Sequence, residues 1–325
     1  MRTPTSLNFL GLMIMANIKY LNEHLVKKYL PLKPLVTAIE QALSNFSDKK
    51  NGGIVQPVRM TLPAKKDDGL YLLMPCYSAK DSTMATKTLS LYLHNHERFN
   101  ISNHHSIITV FDSSTGTPRG IMDGTYISGY RTAAATAVAI KYLSKPDDSI
   151  LTVVGTGFQA GCHFDMIPHV KQFKEVRVCG RTLEKVEALS RKYGALGFTS
   201  VEEAVSGADV IITCTRSTSP FLCGRWVKQG SLVNVVGACY PTTREVDDEL
   251  MLSSAVVADT KEGALVQSGD IIGSKCEVVG ELGDVINGVL DVDYTKTRLF
   301  KSQGIAVEDL VAAKLVLEEY EKDQM

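Results

Sequence analysis

Three residues in the segment "SILTVVGTGFQA" have the types and spacing to cradle a phosphate. Gly155, Gly157 and Ala160 are set as G-x-G-x-x-A behind a β-branched run. Gly155 permits a tight turn, Gly157 lets the backbone approach a pyrophosphate, and Ala160 allows a helix to pack close on a strand. The helix expected next, from Phe158 to Gln172 with a break near Pro168, points its free N–H groups at the anion. Glycine turns of this pattern alone are common. Here a strand precedes the turn and a second strand, "EVRVCG", follows on schedule, so the segment reads as a dinucleotide-binding βα unit.

The second strand ends in Gly180, Arg181 and Thr182. A free ribose 2′-hydroxyl is usually held by Asp or Glu roughly 20 residues after the glycines. An acid would repel a 2′-phosphate, whereas a guanidinium grips it in a bidentate way, so the chain leans to NADPH, with NADH the weaker ligand. The alternative is that Arg181 is a solvated residue opening the next helix, with Thr182 as its N-cap.

Chemistry beside such a cofactor needs a charge or a proton. In "MATKTLSLYL" one strand face reads Ala85, Lys87, Leu89, Leu91 and Leu93, a single ammonium in an apolar row. Desolvation of Lys87 would lower its pKa and make it a general acid or base; the alternative is an edge strand on which it snorkels to water. Arg59, in "VQPVRMTL", and Arg131, expected with Thr132 in the first turn of an Ala-rich helix from Ser128 to Leu143, are candidates for holding a carboxylate. His94 with His96, and His104 with His105, lack the spacing and company of a zinc site, and no metal is expected. There is no nucleophile elbow and no Walker loop.

These residues must be carried by two kinds of element. Helical spacing in "KPLVTAIEQALSNF" is followed by turn-punctuated alternating segments from Gly53 to Phe111 and by the hairpin signal "DSSTGTPRG", which is an α+β pattern. From Ser149 the pattern becomes α/β, with continuous apolar strands "DVIITC", "SLVNVVG" and "AVVADT" suited to a parallel sheet covered on both faces. A stripe of Ala306, Leu310, Ala313 and Leu317 marks a last helix that returns to the first part. The expected organisation is a Rossmann-type dinucleotide-binding domain over 145–289 and a discontinuous α+β substrate and dimerisation domain over 19–144 and 290–325. Residues 1–18, with Met13 and Met15, read as an extension. The 325 residues suffice for two cores. Near balance of 35 basic and 36 acidic residues argues against nucleic acid or an acidic membrane surface as partner. Seven scattered cysteines without a C-x-x-C point to a reducing, cytoplasmic location.

The chain resembles the ornithine cyclodeaminase/mu-crystallin family through "GGIVQPVRMTLP", "TKTLSLY", "IMDGTYISGYRTAAATAVA", "VVGTGFQA", "GRTLEK", "GELGDVINGV" and "FKSQGIAVEDLVAAKL", in order from about Leu35 to Tyr320. The resemblance implies a homodimer paired through the non-Rossmann domain. It places Arg59, Lys87 and Arg131 at the substrate, with Lys87 catalytic. It places Asn103, His104, His105, Arg131, Thr132, Gly155, Gly157, Phe158, Gln159, Gly180, Arg181, Thr182, Thr215, Val236, Cys239 and Ser302 at the dinucleotide. Cyclodeaminases carry an aspartate where this chain has Cys239, and a neutral thiol is no carboxylate base for an ornithine amine. The mu-crystallin branch therefore fits better, implying an NADPH-dependent reductase of cyclic ketimine carboxylates that also binds thyroid hormone. The alternatives are an NADPH-gated hormone-binding protein with little catalysis, or an enzyme of the ornithine cyclodeaminase or amino-acid dehydrogenase type.

Overall fold

The computed structural model describes residues 18–325, so the extension expected over residues 1–18 lies, apart from Ile18, outside the described residues. Its contacts divide the chain into two compact units. One holds 18–31, Gly53–Ser128 and Asp309–Met325; the other holds Leu32–Gly52 and Gly129–Glu308.

The first unit is a seven-stranded sheet built from β1 (Lys19–Leu21), β2 (Ile54–Val55), β3 (Met60–Ala64), β4 (Gly69–Ser78), β5 (Thr83–Tyr92), β6 (His104–Asp112) and β7 (Pro118–Asp123). Its order is β1-β7-β6-β5-β4-β2, with β3 also on β4, and every pairing but β1 with β7 is antiparallel. Alternation in the sequence becomes two faces. Leu72, Met74 and Cys76 of β4, Ala85 and Leu89 of β5, and Ile108 and Val110 of β6 are buried. Their neighbours Tyr71, Tyr77 and Ile107 are exposed. The hairpin expected at "DSSTGTPRG" joins β6 to β7, where the Asp112 carboxylate accepts the N–H groups of Ser114 and Thr115 and Gly116 takes a positive φ. The end of the helix Ala306–Asp323 returns to this sheet, with Leu317 against Gly120 and Glu321 paired with Lys19 and Arg119.

The second unit is an eight-stranded parallel sheet of β8 (Ile150–Val154), β9 (Glu175–Cys179), β10 (Leu196–Phe198), β11 (Val210–Thr213), β12 (Leu232–Val235), β13 (Ala255–Ala258), β14 (Val278–Glu281) and β15 (Arg298–Lys301). The order β10-β9-β8-β11-β12-β15-β13-β14 reverses direction between β8 and β11, the switch point of a doubly wound sheet. Every residue of β11 and β12 is buried, as their unbroken apolar runs require. The helix Leu32–Ser47 belongs here. Its Leu43 carbonyl lies so close to the helix Leu282–Ile286 that a Cβ at Gly283 would come within 2.1 Å of it.

Three elements differ from the sequence reading. The helix Leu32–Ser47 falls within the 19–144 grouped with the first domain, yet it lies in the second unit. The Ala-rich helix spans Thr125–Leu143, starting before Ser128 because the Asp123 carboxylate accepts the N–H groups of Thr125 and Tyr126. Arg131 and Thr132 therefore lie beyond the first turn, and no helix-terminal N–H groups assist Arg131 there. Strand β15 falls within 290–325, which the sequence reading groups with the first domain, yet it lies between β12 and β13. Four residues, two of them cationic, give no apolar run to read.

Candidate active site

In the first unit the site residue is Lys87, in the middle of β5 with strands on either side, which removes the edge-strand alternative. Met74 and Ile108 stand opposite it. Its ammonium donates to Asp309 Oδ1 at 2.8 Å and lies 2.7 Å from Oδ2, and both side chains are 1% exposed. A buried charge requires such a partner. Burial, with Asp309 and Asp81 nearby, pushes the neighbouring Cys76 thiol up to about 12, so it stays neutral beside the pair. Arg59 is half-buried just before β3. Asn103 accepts from the His96 N–H and donates to the Leu93 carbonyl, at 2.8 Å each, and so ties its own loop. His104 is half-buried and His105 exposed at the start of β6.

In the second unit Arg131 donates to Glu308 Oε2 at 2.7 Å, the guanidinium 9% and the carboxylate 0% exposed. It lies against Gly304, where a Cβ would come within 2.3 Å of Nη1 and φ is +77°. Asp259 accepts from the N–H groups of Gln303 (2.7 Å) and Gly304 (2.6 Å). Burial pushes its carboxyl up to about 6, against the pull of those N–H groups and of the Arg131 and Lys301 charges. Thr132 is buried one residue on.

The glycine turn has the expected form. Gly155 follows β8 at φ +135°, and a Cβ there would meet the Cys214 carbonyl at 2.8 Å, so the turn lies tight against the loop after β11. Gly157 caps the helix Phe158–Met166 in an extended conformation, and a Cβ on it would meet nothing within 4 Å, which leaves the backbone open to a phosphate. Ala160 is fully buried, Gln159 half-buried and Phe158 exposed. After β9, Gly180 packs on Thr156, while Arg181 and Thr182 are exposed; Thr182 is the N-cap of the helix Leu183–Tyr193, but its side chain makes no capping bond. Thr215 follows β11, Val236 and the half-buried Cys239 follow β12, and the buried Ser302 follows β15, all at carboxyl ends of parallel strands. No cluster of three His, Cys, Asp or Glu able to hold a metal occurs among the described residues.

Sequence reasoning missed the acids. Glu308 and Asp309 are consecutive on the helix Ala306–Asp323, one pairing with Arg131 in the second unit and the other with Lys87 in the first. Two acids inside the alanine- and valine-rich "IAVEDLVAA" are the signal that could have found them.

A glycine turn at the switch point of a doubly wound parallel sheet, joined in one chain to a largely antiparallel sheet with a buried lysine, defines an α/β protein of Rossmann type. The chain belongs to the ornithine cyclodeaminase/mu-crystallin family, which matches residues 19–324. It is 42% identical to the ketimine reductase mu-crystallin of Macropus fuliginosus over 93% of this chain and 97% of that one. It is 27% identical to the Delta(1)-pyrroline-2-carboxylate reductase of Bacillus cereus, over 90% of this chain and 93% of the other. Among solved structures it is similar to the Thermococcus litoralis Delta(1)-pyrroline-2-carboxylate reductase in complex with NADH and L-proline. That similarity has a TM-score of 0.87 and 30% identity, over 95% of this chain and 99% of the other.

Proposed function

We propose that the protein is an oxidoreductase acting on C=N bonds, an NADPH-dependent reductase that takes cyclic ketimine carboxylates to saturated cyclic amino acids. The observation that carries the reading is the buried Lys87–Asp309 pair in a chain 42% identical to a ketimine reductase. An imine accepts a hydride well only when its nitrogen is protonated, and a fixed ammonium is suited to hold or deliver that proton. For the substrate carboxylate the family resemblance implies Arg59 and Arg131, and Glu308 holds the Arg131 guanidinium through Nη1.

The reduced dinucleotide supplies the hydride when bound. The open backbone at Gly157, with Gly155, Phe158 and Gln159, suits its pyrophosphate. Gly180, Arg181 and Thr182 suit the 2′-phosphate, and the exposed guanidinium is the ground for NADPH over NADH. Asn103, His104, His105, Thr132, Thr215, Val236, Cys239 and Ser302 complete the set implied by the family resemblance. The same site is proposed to take thyroid hormone through the arginines. The exposed face of the first sheet is proposed as a homodimer interface, and the cysteines, which form no disulfide among the described residues, suit a cytoplasmic location. No helix among the described residues is long and apolar enough to cross a membrane.

The test is NADPH oxidation by purified protein against five- and six-membered cyclic ketimine carboxylates, pyruvate with ammonia, and ornithine. Oxidation dependent on a ketimine is expected. Ammonia release from ornithine would overturn the reading. Tight hormone binding that needs NADPH, without turnover of any ketimine, would replace the enzyme with a hormone store.

A further inference from the structure

Strands β11 and β12 stop pairing at Thr213 and Val235. Beyond that pair the two segments run on as loops at the carboxyl ends of the strands, and one carboxylate holds both. Glu245 Oε1 accepts from the N–H and the hydroxyl of Thr215, at 2.6 and 2.7 Å. Its Oε2 accepts from the Thr213 hydroxyl at 2.8 Å and the Gly237 N–H at 2.7 Å. The residue is 0% exposed.

Several features of the chain serve to keep it there. The Glu245 N–H donates to the buried Asp270 at 2.8 Å, and its carbonyl accepts from the Phe221 and Leu222 N–H groups at 3.0 Å each. Glycine at 237 leaves room for that carboxylate, because a Cβ there would lie 2.2 Å from the Glu245 carboxyl carbon and push on it. The buried Lys301, whose ammonium donates to the Val235 carbonyl at 3.1 Å, supplies the opposing charge. Burying a carboxylate is costly, and four converging donors leave no place for an amide: a glutamine would turn its NH2 toward either the Thr215 or the Gly237 N–H.

The place of this arrangement gives its purpose. In a doubly wound sheet the ligand lies outside the carboxyl ends of the strands, across the switch point, one mononucleotide half on each side. Arg181, after β9, lies on the β8-β9-β10 side, where the adenine ribose and its 2′-phosphate belong. The loops after β11 and β12 lie on the other side. We infer that Glu245 is a positioning residue for the nicotinamide half of the dinucleotide, holding Thr215 and Gly237 at the spacing that half requires while contributing nothing to the adenine half. This rests on the dinucleotide reading above.

The test separates the halves. Wild-type protein and Glu245→Gln are titrated calorimetrically with NADPH and with 2′,5′-ADP, which carries the adenine half and its 2′-phosphate alone. Glu245→Gln is expected to weaken NADPH about tenfold and to leave 2′,5′-ADP within about twofold. Gly237→Ala, which pushes on the same carboxylate, is expected to show the same split, and it serves alone if Glu245→Gln does not fold. Equal loss of both ligands would mean general damage and would overturn the proposal, as would unchanged affinity for NADPH. Wild-type protein that binds neither ligand would instead remove the dinucleotide reading, and this proposal with it.

Discussion

Lys87 and Asp309 stand 222 residues apart in sequence and meet at hydrogen-bond distance, so each depends on the other for its place. Lys87→Met is expected to lower turnover of a ketimine by about 10²- to 10⁴-fold, the range for loss of a positioned proton donor, while NADPH binding is kept. Single-turnover rates beside a binding titration would check this, and unchanged turnover would remove Lys87 from the chemistry. Asp309→Asn leaves an ammonium buried without its carboxylate, a loss of about 3–5 kcal/mol in denaturant unfolding. Joining the two substitutions should recover much of that stability without recovering activity; additive losses would mean that the pair is not coupled. In the second unit, Arg181→Ala should raise the KM for NADPH far more than that for NADH. Equal rises would place the 2′-phosphate elsewhere.

Elements decide what these residues can reach. The helix Phe158–Met166 carries His163, fully buried, with Nδ1 at 2.7 Å from the Gln159 carbonyl and Nε2 at 3.0 Å from the Thr136 hydroxyl of the helix Thr125–Leu143. Burial pushes its pKa down to about 4 from 6.5. Between those values the unfolded chain binds a proton that the folded chain does not. The stability His163 lends is therefore complete above pH 6.5, falls as pH falls, and is gone below 4, a loss on the order of 3 kcal/mol. Asp259, raised to about 6, titrates in the opposite sense, favouring the fold at low pH. The difference between wild type and His163→Asn isolates the histidine; equal slopes of unfolding free energy with pH would refute its role. The same elements mark what the sequence could yield. The glycine turn, the break after Met166, the β6–β7 hairpin and the inward face of Lys87 are local patterns of two to a dozen residues, and the structure has each. The acids Glu245, Asp259, Glu308 and Asp309 were not legible, because a buried acid is specified by a partner brought up by topology. Strand β15 escaped for the same reason: its Arg298 and Lys301, both 0% exposed, look like surface residues until the sheet closes over them.

At the scale of the whole molecule, the face of the first sheet that turns away from Lys87 bears on the proposed association. The pairings place Val55 opposite Tyr77, Leu62 opposite Tyr71 and Met60 opposite Leu73, so these apolar side chains share one face. Val55 is 65%, Met60 56%, Leu62 48% and Ile107 49% exposed. Scattered apolar residues on a surface need no account, but a contiguous apolar sheet face does, and the common occupant of such a face is a symmetric second copy. The proposed homodimer covers it, since a two-fold axis on the sheet would bury the same row from both chains. A charge introduced on that face, at Ile107 beyond Thr88 of β5, would be carried into the interface. Ile107→Lys should therefore yield a monomer by sedimentation equilibrium at concentrations where wild type is a dimer, with the far-ultraviolet circular dichroism unchanged. Because Ile107 points away from Lys87, whose own strand neighbour Ile108 lies on the inner face, a monomer that keeps its fold would also show what pairing contributes to turnover. A wild-type protein that is monomeric, or an Ile107→Lys variant that stays dimeric, would move the interface off this face.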